Sequence, residues 1–571
     1  MPHTATQHVI DHGVLENLLA DGYALLTPNL RLARGLTEQW THIQQSKGLT
    51  VWQSALISPL ESWLLKQWHN AVDEGFLAPL LPASPAQLQE LWQEVIEQHQ
   101  TATQGYTLIR PTGAAALASR ARDNLLRWSV DINQPACRQQ FLFDEDCSAF
   151  FAWQALLTQK LAALEMTTNS DCLQALLGCA HKLPKQKIAL FGFDDIPPLL
   201  SALVDALAES TVTLAVLGEA GECKVREYAD KRAELAAVAQ WAKTISDRPD
   251  NATVGIILPE MQSDRSSLEY LLRREFDCLG SNYTSLPVNF SAGISMDRVP
   301  LVRDAVRILG MSRSRVDLTD IVALLRSRFV TLSDTNTSAS IKFIRRLFDR
   351  GEQVIDAGEV RYLASRSSAV PNDKDLSEQG QEGLHIGRIM LELFSQRNLR
   401  GKALPSQWVD RFSDTLNAWG WPGEGPLDSI EYQQLKGWYE FLDQFAAFDQ
   451  VCAPMTFEEA LQLLCRAIAG ATSQPQTPES NLQVLGILEA AGQNFDHLWI
   501  VGMQAGRWPA AAKPNPFIPV HMQRELNMPQ ASAEREWSFA SNLMAQYLRS
   551  AVEIIASYSV QNEGVPEKGS S

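Results

Sequence analysis

The stretch DGYALLTPNLRLARGLTEQW, residues 21–40, opens on an apolar run, Ala24, Leu25 and Leu26, and passes through the polar turn Thr27-Pro28-Asn29. Leu30, Ala33 and Leu36 follow at helical spacing. A short apolar run, a turn and an amphipathic helix predict a strand–loop–helix unit of the kind that builds a parallel sheet. Downstream the pattern returns at KIALFGF (187–193) and VTLAVLG (212–218), each beside an amphipathic helix. A first α/β core is therefore expected from residues 1–58 and 185–220. Between its two parts, residues 59–184 read as a helical insertion, carried by stretches such as PLESWLLKQWHNAV and GAAALASRARDNLLRWSV.

A second core starts after an Ala-rich helix at 230–245, with the buried strand ATVGIILPE (252–260). Its pattern resumes at NLQVLGIL (481–488), HLWIVGM (497–503) and VEIIASYSV (552–560). Residues 221–300 and 480–571 form this second core. The insertion at 301–479 is mainly helical, with polar loops at 331–340 and 367–380 and the turn-rich GWPGEGP at 420–426. The fold class is α/β, two parallel-sheet cores each interrupted by a helical insertion.

With 45% hydrophobic and 20% charged residues in 571, the chain has the composition of a folded multidomain protein. Its eight cysteines are scattered without a C-x-x-C pair, so they read as reduced, buried thiols rather than a zinc or iron–sulfur site. No apolar run of about 18 residues occurs, and the start MPHTATQHVIDHG lacks a secretory pattern, so a cytoplasmic location is expected. The last residues, QNEGVPEKGSS, read as an exposed tail that stops without a domain ending, as though a C-terminal domain were missing.

The net charge of −17 argues against the whole surface wrapping nucleic acid. From Arg303 to Arg350 the balance reverses, with ten basic residues against five acidic ones, which leaves room for a local basic groove.

A phosphate-binding P-loop needs glycines, a Lys and a Ser or Thr, and no G-x-x-x-x-G-K-[ST] occurs. Gly401–Lys402 is followed by Ala403 within the helical insertion. After the first strand stand Thr27, Pro28, Asn29, Leu30 and Arg31, where Pro28 lacks a backbone donor. A magnesium-holding Asp-Glu would end a later strand, yet Asp194 and Asp195 come two residues late and read as a cap for the helix 197–207. His8 and His12 share an H-x-x-x-H spacing without a Glu or third ligand, and no hydrolase triad is recognisable.

The segment VLGILEAAGQNFDHLWIVGMQAGRWP (484–509) resembles the strand–loop–strand of superfamily I helicases of the UvrD, RecB and AddB kind. Glu489 stands where that family has a His, and the family's Lys is absent. Phe495, Asp496 and the run to Pro509 keep the frame. LTPNLRLARGL, LFGFDDIPPLLSALVDAL and VNFSAGISMDRVPLVRDAVRIL resemble further motifs of the AddB-like and RecC-like members with a decayed helicase core. WGWPGEGPLDSIEYQQLKGW and PNPFIPVHMQRELNMP resemble bacterial DNA-repair relatives of AddB, which usually continue into a restriction-endonuclease-like nuclease domain. LRSAVEIIASY resembles the last helicase motif, in which an arginine meets the γ-phosphate; Arg549 holds that place and reads first as a solvated helix arginine.

The resemblance implies two RecA-like cores in a catalytically silent scaffold that binds DNA, as a single strand or duplex end, and positions a nuclease or motor partner in double-strand-break repair. With Thr27, Asn29, Arg31, Asp194, Asp195, Glu489, Phe495, Asp496 and Arg549 as vestiges, neither ATP nor magnesium is expected as a cofactor. An active ATP-dependent helicase would need Arg31, Asp194, Asp195 and Arg549 to converge. A purely protein-binding module is a third reading.

For DNA, the candidates are Arg313, Arg315, Arg326, Arg328, Arg345 and Arg346, because Lys and Arg track a strand while aromatic rings stack its bases. Phe329, Phe343 and Phe348 occupy apolar helix positions and read as core, as do most tryptophans. Trp508, between a strand and Pro509, is set apart as a candidate exposed ring.

Overall fold

The computed structural model describes residues 11–103, 111–214, 220–280, 285–330, 337–368, 399–474, 480–562 and 565–570. It divides into two compact units, Met1–Ala292 with Thr477–Ser571, and Gly293–Gln476.

The first unit holds two wholly parallel sheets. In one, the order is β2-β1-β3-β4, where β1 is Ala24–Thr27, β2 Ile57–Pro59, β3 Gln186–Phe191 and β4 Ala208–Leu214. The apolar runs met in the sequence are its centre. All four residues of β1 are buried, and Ile188, Ala189, Leu190 and Phe191 of β3 join them. Strands buried on both faces read as continuous hydrophobic runs, which is why these were legible. β4 begins four residues before the strand expected at 212, and residues 215–218 of that expectation lie outside the described residues.

The other sheet has six strands in the order β5-β10-β9-β6-β8-β7. These are β5 Glu222–Tyr228, β6 Val254–Ile257, β7 Asn289–Phe290, β8 Leu482–Leu485, β9 Phe495–Ile500 and β10 Ala551–Ser559. Helices Lys231–Ser246 and Met261–Glu275 cover one face, burying Val254, Ile256, Val484, Trp499 and Val501. Helix Ala533–Tyr547 covers the other, over Ile257, Leu485, Leu498 and Ile500. The two-residue alternation along β9 thus feeds two separate cores. Neighbouring strands β6 and β9 send their chains to opposite faces, which makes their C-terminal ends a topological switch point.

Two local expectations change. The strand 481–488 ends at Leu485, because Glu489 accepts from the Gly486 N–H (2.9 Å) at the start of a short helix, Ile487–Ala490. The tail is also tied down: Ala505 N–H donates to Lys568 C=O (2.8 Å), and Ser570 N–H to Met503 C=O (2.8 Å).

Among the described residues of 60–184 the regular elements are helices apart from the two-residue strands at Leu81–Pro82 and Met166–Thr167. Their aromatic core receives Phe517 from the segment after β9, with ring centroids 5.9 Å from Phe150 and 5.3 Å from Trp153. Asn515 Nδ2 donates to Leu117 C=O (2.9 Å), and Trp128 Nε1 to Leu526 C=O (3.0 Å). The PNPFIP run is therefore a plug in the helical layer.

The second unit packs helices Pro300–Gly310, Pro405–Ala418, Ser429–Ala446 and Phe457–Gly470 around Trp408, Phe412, Trp438 and Phe445. Beside them lies a two-stranded antiparallel ribbon, Arg315–Asp317 with Val354–Asp356, with helices Leu318–Leu325 and Thr337–Phe348 between its strands and Ala357–Ser368 after them. Helix Thr337–Phe348 begins inside the loop expected at 331–340, and the loop expected at 367–380 lies outside the described residues from 369 onward.

Candidate functional site

The C-terminal ends of β1 and β3 meet the second sheet, and the residues singled out in the sequence gather there. Thr27 is fully buried, and its Oγ1 donates to the Asn29 carbonyl (2.8 Å). Asn29 caps helix Leu30–Ser46 by accepting from Leu32 N–H (2.9 Å), while its Nδ2 donates to Leu488 C=O (3.1 Å). Arg31 is half-buried and donates to Gln483 Oε1 (2.9 Å). Burial lowers its pKa, against the opposing charges of Glu489 and Glu38. Glu489 in turn accepts from Ser291 Oγ.

Leu32 occupies the hollow beneath this loop. A Cβ on Gly192 would stand 2.7 Å from Leu32 Cδ2 and 3.7 Å from Pro28 Cδ, and Gly192 has φ +79°. Only glycine permits both that backbone and that approach. A phosphate-binding loop keeps its hollow open and lines it with N–H donors; here a leucine and a proline ring fill the turn after β1.

Asp194 and Asp195 do not cap a helix. Helix Pro198–Leu207 has Pro197 at its N-cap with no side-chain bond. Asp194 accepts from Gln546 Nε2, and Asp195 Oδ2 accepts from Arg535 Nη2 (2.6 Å). Both partners lie on helix Ala533–Tyr547, whose Tyr547 hydroxyl donates to Ile487 C=O (2.6 Å). Burial raises the Asp194 pKa, the Gln546 bond lowers it and the charge of Asp195 raises it further. Tertiary partners some 340 residues away override the local capping preference.

The remaining helicase-like positions are dispersed. Phe495 is core, and Asp496 accepts from Thr253 N–H (2.8 Å) and Thr253 Oγ1 (2.7 Å), tying the start of β9 to β6. Arg549 is exposed just past helix Ala533–Tyr547. Arg31 and the two aspartates each have a partner in the second sheet's layer rather than one another.

Trp508 corrects an expectation. It is 7% exposed and packs under Tyr547 with ring centroids 6.4 Å apart, in the core beneath helix Ala533–Tyr547. An indole held there offers no face to a base.

The six candidate arginines all belong to the second unit; Arg313 is half-buried and the other five are exposed. Arg313 pairs with Glu458 (2.9 Å), and Arg328 with Glu431 while lying 4.9 Å from the Phe329 ring. Arg315 opens the strand Arg315–Asp317, Arg326 ends helix Leu318–Leu325, and Arg345 and Arg346 lie in the last turn of helix Thr337–Phe348. Phe329 and Phe343 are buried, as read, but Phe348 is exposed, since it lies beyond the helix's packed face.

A second polar cluster, unseen in the sequence, sits at the switch point. Glu234 is 0% exposed; its Oε1 accepts from Gly502 N–H (2.9 Å) and Ser557 Oγ (2.6 Å). Lys231 pairs with Asp264 (2.7 Å), and Arg507 bridges Glu260 (2.9 Å) and Glu567 (3.1 Å). The chain's own residues 567–570 lie across the loop where a ligand of an open parallel sheet would enter. The only sequence signal was a charged helix start after an edge strand.

Among the described residues, no group of three or more His, Cys, Asp and Glu is placed to hold a metal ion, and no helix is long and apolar enough to cross a membrane. No protein-family model matches the chain, and no curated protein is similar to it.

Proposed function

We propose that this chain is a helicase-shaped scaffold that does not turn over ATP, built from two RecA-like cores of the superfamily I kind and akin to AddB-like and RecC-like proteins. It binds DNA through the second unit and positions a nuclease or motor partner in double-strand-break repair in the cytoplasm.

One observation carries the reading: Thr27, Asn29, Arg31, Asp194, Asp195 and Glu489, at the edge where a nucleotide would lie, are bonded to neighbouring side chains and backbone, and Leu32 fills the hollow. A nucleotide would have to break several of these bonds before making its own. Charge supports the second half. Of the net −17, only −3 falls on residues 293–476, which carry 21 Lys and Arg against 24 Asp and Glu. Acidic surface is thus concentrated on the other unit, and phosphate repulsion is weakest on the one with the exposed arginines.

Calorimetry with a non-hydrolysable ATP analogue and magnesium, without and with single-stranded DNA, tests the first half. No heat of binding is expected, and micromolar binding would overturn it. Fluorescence anisotropy with single-stranded, duplex and forked DNA at low salt tests the second. Salt-sensitive binding is expected; none to any of the three overturns the DNA reading and leaves a protein-binding module.

A further inference from the structure

Helix Ser429–Ala446 turns Ile430, Gln434, Trp438, Phe441 and Phe445 inward. On the opposite side it leaves two tyrosines in solvent, Tyr432 at 63% and Tyr439 at 50% exposure, with Lys436 between them at 68%. Positions i, i+4 and i+7 fall within about 60° of one another around a helix, so the three side chains form one stripe. At 1.5 Å per residue the rings stand about 10 Å apart along the axis. The support is rigid. Trp438 is fully buried against Trp421 (centroids 5.9 Å), and Asp428 with Glu431 closes a capping box at the N-terminus.

Glu431 does two things in that box. Its Oε2 accepts from Asp428 N–H (2.9 Å), and its Oε1 holds the Arg328 guanidinium. Arg328 is therefore held at the first turn of this helix through Glu431, one residue before Tyr432 in the chain, and the exposed Arg326 lies two residues before Arg328 in sequence. The far end differs: Asp443 follows Tyr439 on the same side, and Glu440 lies beside it, 3.5 Å from Lys436. The helix face thus has two rings with Lys436 between them, an arginine held near its first turn, and acidic residues past Tyr439.

We propose that Tyr432 and Tyr439 are stacking platforms for unpaired bases, with Arg326, Arg328 and Lys436 along the phosphates: a short track for single-stranded nucleic acid. The inference rests on the DNA-binding reading and names its substrate class. Rings on a convex helix reach bases only when these are splayed out; in a duplex the base faces are already covered by their neighbours. Tyrosine has few torsions to freeze, so a solvent-facing ring can stack at little entropic cost.

The test uses the full chain and a fluorescein-labelled oligo(dT), followed by anisotropy across a salt series, with a duplex as comparison. Each of Tyr432→Ala and Tyr439→Ala is expected to weaken oligo(dT) binding about tenfold, because a base–aromatic stack contributes about 1–3 kcal/mol. The slope of affinity against salt stays unchanged, duplex binding is little affected, and Tyr→Phe at either position retains affinity. Arg326→Ala with Arg328→Ala flattens the salt slope instead. Thermal unfolding midpoints of the tyrosine variants should match the wild type, since both rings are exposed. If the wild type binds oligo(dT) and the double tyrosine variant binds it equally well, the track is wrong while the DNA reading stands. An equal loss on duplex and single strand also overturns stacking. If the wild type binds no nucleic acid, both fall.

Discussion

Asp195, just beyond the C-terminal end of β3 in the first sheet, accepts a 2.6 Å hydrogen bond from Arg535, on the helix that feeds the last strand of the second. In an ATPase of the proposed ancestry a carboxylate near this place would face magnesium; here it joins two halves of the chain. Asp195 is 50% exposed and Arg535 only 11%, so water screens one side of the pair. Asp195→Ala and Arg535→Ala are each expected to lower unfolding free energy by about 1 kcal/mol, with most of it shared in a double-mutant cycle. Urea unfolding measures this. Additive losses would mean that the pair does not couple the sheets.

Asp194 predicts a pH dependence of its own. Its pKa is raised in the folded protein, chiefly by burial, above the ordinary carboxylate value in the unfolded chain. Between those two values the folded state holds the extra proton, so stability falls as pH rises through that window and stays lower above it. At pH 7 the ionised carboxylate is a net cost that a neutral amide avoids, and Asn still offers an oxygen to Gln546. Asp194→Asn should therefore raise the thermal midpoint at pH 7, and its advantage should vanish on acidification below the ordinary carboxylate range. An advantage that grows toward acid would reverse the assignment.

How much of this could be read in advance depended on where each residue's partners lie. Ala24–Thr27, Val254–Ile257 and the run Leu498 to Val501 are apolar because both sheet faces are covered, and that pattern is local. β5 was missed because ECKVREY is an edge strand, mostly exposed and densely charged, so no hydrophobic run marks it. Asp194 and Asp195 misled for the opposite reason: a short polar pair before Pro-Pro satisfies the local rule for a cap, and only helix Ala533–Tyr547 reveals its partners. On sequence alone Trp508 is expected to be exposed, and Tyr432 carries no expectation. Composition favours tryptophan as the stacking residue, but the turn after β9 folds Trp508 under Tyr547, while the phase of helix Ser429–Ala446 turns Tyr432 outward. Strand and helix periods were legible; which side of a turn faces solvent was not.

Glu234 provides a third expectation. Its Oε1 gathers the Gly502 N–H and the Ser557 hydroxyl, which itself accepts from Trp499 Nε1 (2.8 Å), so one carboxylate fixes the ends of β9 and β10. Its Oε2 has no hydrogen-bond partner among the described residues. Glu234→Ala removes the acceptor and strands buried donors, at an expected cost of about 2–4 kcal/mol, whereas Glu234→Gln keeps an oxygen in place and costs less. Equal losses in the two variants by urea unfolding would mean that packing volume, rather than the acceptor, holds the switch point together.

The filled hollow at the end of β1 makes the last prediction, and the one closest to function. Gly192 lies at φ +79°, and its missing Cβ would stand 2.7 Å from Leu32 Cδ2. Gly192→Ala therefore meets two penalties, a left-handed backbone and a clash, and is expected to cost about 1–3 kcal/mol. Leu32→Ala, a fully buried leucine, costs about 2–5 kcal/mol through the cavity it leaves. Combined, the cavity accepts the new methyl group, so the double variant should be more stable than the sum of the two losses predicts, by about 1 kcal/mol. Thermal or urea unfolding of the four proteins reads this coupling directly. Leu32→Ala also reopens the space without restoring a Lys, a glycine loop or a free aspartate, so it should bind the ATP analogue no better than the wild type. Nucleotide binding gained by that single change would show that Leu32 alone had kept ATP out.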